Sequence, residues 1–213
     1  MDIDDCLRSL ARTRPLFHSE ADFQHALAWE LHTVLPDASI RLEFRADPNA
    51  KIYVDLWVNE RGERIAIELK YKTRSLTASV GGESFNLLNQ SAQDIGRYDF
   101  LKDVQRIERL VEAGLASEGY AVFLSNDRGY WRKGRSNTVD AAFRIDEGQS
   151  MSGTLAWASQ ASAGTMDSRE EPLELRQSHF LRWEDYSRVS DGISGAFRYL
   201  VVHVPESSAR RSR

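Results

Sequence analysis

The chain has 213 residues, a formal net charge of −4 and a single cysteine, which suits one good-sized α/β domain that can bury its own core, alone or with a small appendage. One cysteine, Cys6, excludes an internal disulfide framework and a cysteine-based zinc site. No run is long and apolar enough to cross a bilayer, and the acidic start Met1-Asp2-Ile3-Asp4-Asp5 has no basic-then-apolar signal pattern, so the expected address is a reducing cytoplasm with no membrane partner.

The first predicted element is a helix over 20–34, with Ser19 as N-cap, Asp22 three residues on in a capping-box-like position, and Pro36 as its stop. Phe23, Leu27, Leu31 and Val34 form one apolar stripe at helical spacing. Glu20 and Glu30 project on that same side. Either they seek buried partners, or Glu20 sits at the helix start and Glu30 at the stripe's edge. His25 and His32 fall opposite the stripe, on a solvated face.

Three strand-like runs follow: 40–44, 52–58 and 64–72. The last two flank Asn59-Glu60-Arg61-Gly62-Glu63, a hairpin turn in which Gly62 supplies positive φ. With Glu60 facing Glu63, Trp57 faces Ala66, Asp55 faces Glu68 and Tyr53 faces Lys70. Alternation puts Ile52, Val54, Leu56 and Val58 on one face of the first arm, and Tyr53, Asp55 and Trp57 on the other. One hairpin face would then carry Asp55, Glu68 and Lys70, provided that no slip or bulge intervenes.

Residues 71–86 show no period and read as a loop, either a mobile flap over that face or a surface connection. A long helix over 91–113 ends at Gly114, with Phe100, Val104, Ile107 and Val111 as its core stripe. Gln93 and Arg97 extend that stripe backwards, unless Gly96 resets the helix phase. A buried strand over 120–124 closes in the turn Ser125-Asn126-Asp127-Arg128-Gly129. Beyond it the signal weakens. The segment 150–169 reads as a meander, 172–176 as a strand, Trp183-Glu184-Asp185-Tyr186 as a short helix, and 197–204 as a final strand. The organisation expected is a single domain over 1–213, with a core at about 19–125, an extension at about 126–206 and a disordered tail at 207–213.

There is no P-loop, no GxGxxG and no GxSxG elbow, and Cys6 has no evident histidine partner. What remains is the hairpin. Two carboxylates on one face suit a hard cation such as Mg²⁺, which takes oxygen ligands and keeps several waters. Such an ion polarises a phosphoryl oxygen. A lysine beside it orients an attacking water or offsets transition-state charge. The plainer alternative is an exposed hairpin with a Glu/Lys pair two residues apart.

A helix bearing an acid, then a hairpin with Asp55 in one strand and Glu68-Leu69-Lys70 in the next, then a second helix, resembles the PD-(D/E)XK nuclease superfamily. Ala92-Gln93-Asp94-Ile95-Gly96-Arg97-Tyr98-Asp99-Phe100 resembles a bacterial set within it that has no established substrate. Val54, in place of proline, precedes Asp55. The resemblance covers roughly residues 20–124. It implies an α/β, restriction-endonuclease-like core: a mixed central sheet flanked by helices in αβββαβ order, with a C-terminal extension. It implies Asp55 and Glu68 as ligands of Mg²⁺ (Mn²⁺ as a substitute), Lys70 as the catalytic lysine, Glu20, less surely Glu30, as the first-helix acid completing the metal shell, and Gln93 as a second-helix contribution. Arg97 and Lys72 are candidate substrate contacts.

The activity so implied is a metal-dependent nuclease, DNA favoured, of defence, repair or mobile-element type. Two alternatives stay open: an RNA-directed nuclease, and a catalytically silent nuclease fold that binds nucleic acid or protein. The net charge of −4 predicts modest intrinsic affinity for nucleic acid, or help from a protein partner or a homodimer.

Overall fold

The computed structural model describes residues 2–206; the predicted tail 207–213 lies outside them. Helix α1 (Ile3–Thr13) opens the chain. The Asp2 side chain caps it by accepting from the Asp5 N–H, and Ile3, Cys6, Leu7 and Leu10 are its buried stripe. Helix α2 (Glu20–Val34) starts at Ser19, whose hydroxyl accepts from the Asp22 N–H. Phe23, Leu27 and Leu31 of its predicted stripe are buried, whereas Val34 in the last turn is exposed.

Strands β1 (Ser39–Asp47), β2 (Ile52–Glu60) and β3 (Glu63–Lys72) form an antiparallel meander. Strands β4 (Leu76–Val80) and β5 (Glu83–Leu87) follow, then helix α3 (Gln93–Glu112) and β6 (Glu118–Ser125), which pairs parallel to β3. Strand β7 (Ser150–Leu155), the short helix α4 (Ala163–Met166), β8 (Leu173–Phe180), β9 (Trp183–Arg188) and β10 (Ala196–Val204) complete the chain. The main sheet has the order β1-β2-β3-β6-β10-β9, mixed because only β3 and β6 run parallel.

This is an α/β structure with a mixed central sheet flanked by helices. One sheet face packs against α1 and α2 through Leu7, Phe23, Leu27, Ile67 and Leu69. The other packs against α3 and the 126–183 region through Ala66, Phe100, Val104, Ile107 and Trp183. Gly119 sets how closely α3 lies on the sheet. A Cβ there would stand 2.3 Å from Ile107 Cγ2 and 2.8 Å from the Ala66 carbonyl.

Three expectations need correction, and one element, the first helix, had no sequence expectation. Residues 71–86 are not a loop: β4 and β5 form a hairpin whose two-residue turn, Gly81-Gly82, has positive φ at both positions. Its Phe85 and Leu87 are buried on the α1/α2 side, and Phe85 stacks on His18 at 4.3 Å. It therefore does not cover the α3 side. Trp183–Tyr186 is strand, because β9 pairs with β10. The 150–169 region contains β7, paired with β8. The start of the chain is a helix in the core, and Cys6 is buried within it. Among the described residues no helix is long and apolar enough to cross a membrane.

Candidate active site

The β2–β3 hairpin has the register read from its turn: Glu60 pairs with Glu63, Val58 with Ile65 and Trp57 with Ala66. Its last pair is Leu56 with Ile67. Beyond that point two carboxylates stand in for the partner strand. Asp55 Oδ2 accepts from the Leu69 N–H at 2.6 Å, and Glu20 Oε2 accepts from the Tyr71 N–H at 2.7 Å. These are alternate N–H groups of β3, about 7 Å apart along the strand. Helix α2 thus wedges the hairpin open. Its buried Gln24, one turn after Glu20, donates to the Asp55 carbonyl at 2.7 Å and to Glu43 Oε1 at 3.0 Å.

The backbone bends to allow this. Val54 and Trp57 share one core although simple alternation would separate them, so β2 rolls about its axis around Asp55. The predicted face sharing of Val54 with Leu56 and Val58 is corrected accordingly. Across from Asp55, between the pairs Leu42–Leu56 and Phe44–Val54, Glu43 adopts φ 46°, a rare conformation for a residue other than glycine.

Glu68 and Lys70 point to the α3 side, where that helix answers each with the opposite charge. Arg106 Nη1 lies 2.5 Å from Glu68 Oε1 and 3.2 Å from Asp103 Oδ1. Lys70 Nζ lies 2.6 Å from Asp103 Oδ2. Glu68 and Asp103 are 2% and 4% exposed, so these two acids are buried, whereas Lys70 and Arg106 keep part of their side chains in solvent. In this network acids outnumber bases: Asp55, Glu68, Asp103 and Glu20 against Lys70 and Arg106. Burial, opposed in part by the Leu69 N–H and Lys70, pushes the Asp55 carboxyl up to about 6, with Asp103 and Glu20 adding to the rise. Burial and the Asp103 charge push Glu68 up to about 9 against the pull of Arg106. Burial alone would lower Lys70, but Asp103, Glu20 and Asp55 together raise it.

Among the described residues, no three His, Cys, Asp or Glu side chains stand together as a ready metal cage. The donor chemistry still fits a hard cation. Magnesium needs only one or two protein carboxylates besides its waters, and burial opposes the ionisation of Asp55 and Glu68, an opposition that a bound cation would relieve.

The other predicted residues lie elsewhere. Gln93 donates to Asp127 Oδ2 at 2.5 Å, in the turn after β6, so the expectation that it reaches the hairpin carboxylates is corrected. Arg97 is 2% exposed; it donates to Asp140 Oδ2 and the Gly129 carbonyl, both at 2.6 Å. A guanidinium so enclosed ties the 129–140 loop to α3 and is not available to a substrate, which corrects its assignment as a contact. Glu30 lines a cleft of about 400 Å³ between α1 and α2, with Arg14 and His25. Lys72 is half-buried at the end of β3, opposite Ser125 of β6.

Four residues of the network escaped the sequence reading: Gln24, Glu43, Asp103 and Arg106. Asp103 carried a signal. It falls between Phe100 and Ile107 on the apolar arc of α3, where a carboxylate needs a partner. No family model, curated protein or solved structure matches this chain.

Proposed function

We propose that this chain is a metal-dependent phosphodiesterase acting on nucleic acid, DNA favoured, built on a restriction-endonuclease-like core. The observation that carries the reading is the crowding of Asp55, Glu68 and Lys70 at the opened end of one hairpin, where acidic groups outnumber basic ones and burial raises the pKa of both carboxyls. The segment from α2 to β6 has the αβββαβ order of such a core once the β4–β5 hairpin is set aside as an insertion. In this reading Asp55 and Glu68 hold Mg²⁺ or Mn²⁺. The ion, when bound, supplies polarisation of a phosphoryl oxygen and acidification of a water. Lys70 orients the attacking water. Glu20 fixes the β3 backbone at Tyr71 and adds negative charge beside Asp55.

A second reading, a silent fold that only binds, is favoured by one specific observation: Glu68 and Lys70 already have partners in Arg106 and Asp103. The test separates the two. Purified protein is incubated with supercoiled plasmid, linear DNA and RNA in Mg²⁺, Mn²⁺ or EDTA. The expected result is divalent-dependent cleavage, reduced at least 100-fold in Glu68→Gln, since one aimed group in a reaction of this kind is worth about 10²–10³ in rate. No cleavage of any form by the wild type would leave the binding reading in its place.

A further inference from the structure

Beside the acidic centre runs a groove of about 410 Å³ between α3 and the β1–β2 turn, lined among others by Lys102, Arg106, Arg109, Asp47 and Ile52. The three basic residues fall at i, i+4 and i+7, so they form one ridge of α3, about 10.5 Å long at 1.5 Å per residue. Arg106, the middle one, is the guanidinium bonded to Glu68. The groove and the acidic centre therefore share Arg106.

Its charge is unbalanced for a local reason. The acids of α3 point away or are engaged: Asp99 binds Arg169, Asp103 binds Lys70, Glu108 binds His179 and Glu112 binds Arg176. Asp94 accepts from the Ile95 N–H at the helix start. Asp47, the acid on the opposite wall, accepts from the Asn49 N–H in its own turn. Lys102 and Arg109 are exposed and have no carboxylate partner among the described residues, although Lys102 sits 6.0 Å above the Tyr98 ring. Two bare cations flanking a third, in a chain of net charge −4, mark a local seat for repeated negative charge.

We infer that this groove seats the sugar–phosphate backbone of the nucleic-acid strand next to the scissile bond, with Lys102 and Arg109 each meeting a phosphate. The inference rests on the phosphodiesterase reading for the identity of the polyanion. The ridge spans about three steps of a duplex strand at 3.4 Å per step, so the two cations would meet different phosphates. The contacts would be to backbone and not to bases, giving affinity and position without sequence preference.

The experiment is fluorescence anisotropy with a labelled 20-nucleotide strand and its duplex, in EDTA so that nothing is cut, over a series of salt concentrations. The double variant Lys102→Glu/Arg109→Glu is compared with wild type and with Arg182→Glu, an exposed charge reversal beside β9 on the far edge of the sheet. Thermal melting checks that each variant is folded. Expected is binding at least tenfold weaker in the groove variant, with a salt slope shallower by about 2, and little change in Arg182→Glu. Equal binding by the groove variant and wild type would overturn the inference, as would a wild type that binds neither oligonucleotide. Binding that depends on the groove while the wild type cuts no substrate would sink the hydrolytic reading and leave the groove standing.

Discussion

Lys70 and Asp103 are a largely buried ion pair, and that decides how the lysine can be tested. Removing one member of a buried pair costs about 3–5 kcal/mol when the other charge is left without compensation; Arg106, 3.2 Å from Asp103, offsets part of that here. Lys70→Ala is therefore expected to lose stability as well as any activity, and activity alone cannot tell the two apart. Lys70→Met combined with Asp103→Leu should recover most of the stability, because two apolar groups in place of a buried pair are often neutral. Urea unfolding of the four members of the cycle measures this; additive losses would mean that the pair is not coupled. Asp55 gives a second residue-scale test. Its carboxyl is raised from an ordinary 3.8 to about 6, mainly by burial. For an acid raised on folding, the native state gains relative to the unfolded chain while both are protonated. That advantage disappears as pH rises from about 4 through 6. At about 1.4 kcal/mol per pH unit, the ionised group costs the fold about 3 kcal/mol at neutral pH. Asp55→Asn keeps an oxygen for the Leu69 N–H and removes the charge. It should be more stable than wild type at about pH 8, with the difference vanishing near pH 4. A less stable Asn variant at the higher pH would contradict the account of a strained, buried charge.

At the scale of elements, what the sequence made legible was what local periodicity and capping control. The limits of α2 follow from Ser19 and Pro36, and the hairpin register from the short turn around Gly62. Both signals lie within a few residues of what they determine. The β4–β5 hairpin also carries a local signal, which the reading of 71–86 as a loop overlooks: Leu76, Ala78 and Val80, then Phe85 and Leu87, alternate with Thr77, Ser79, Ser84 and Asn86 on either side of Gly81-Gly82. Strand β9 was read as helix because Trp183-Glu184-Asp185-Tyr186 suits either state, and pairing with β10, a long-range contact, settles it. The same distinction holds within the site. The turn makes the hairpin register legible as far as Leu56–Ile67; the expected pairs Asp55–Glu68 and Tyr53–Lys70 beyond it do not form, and Asp55 reaches the Leu69 N–H instead. Asp103 and Arg106, the partners of Lys70 and Glu68, come from a helix more than thirty residues away, whose rotation over the sheet no local pattern records. Gln93 and Arg97 were placed correctly on the inward side of α3, but their assigned target was wrong. They meet the turn after β6 and the loop beyond it, not the hairpin.

Across the whole molecule, the site depends on parts that a minimal core would omit. A fragment of residues 19–125 keeps α2, the meander, α3 and β6, but it loses three supports. Strand β10 pairs along nearly all of β6 and would leave it as an unpaired edge, a template for aggregation. Tyr98 of α3 would lose its ring contacts with Phe143 and Trp157, and Phe123 of β6 would lose Trp183. Helix α1, with Leu7 and Leu10 buried against the α2 side, would be gone as well. Burying a large side chain is worth about 1.5–3 kcal/mol, and a domain's net stability is only about 5–15 kcal/mol. Loss of several such residues together exceeds that margin. The fragment is expected to show no cooperative melting and to aggregate, whereas residues 2–206 should melt in one transition, because both cores share the same sheet. Circular dichroism with thermal melting and size-exclusion chromatography of the two chains make the comparison. A fragment 19–125 that is monomeric and melts sharply would show that the meander, α2 and α3 suffice, and that the C-terminal strands are an addition to a core that stands alone.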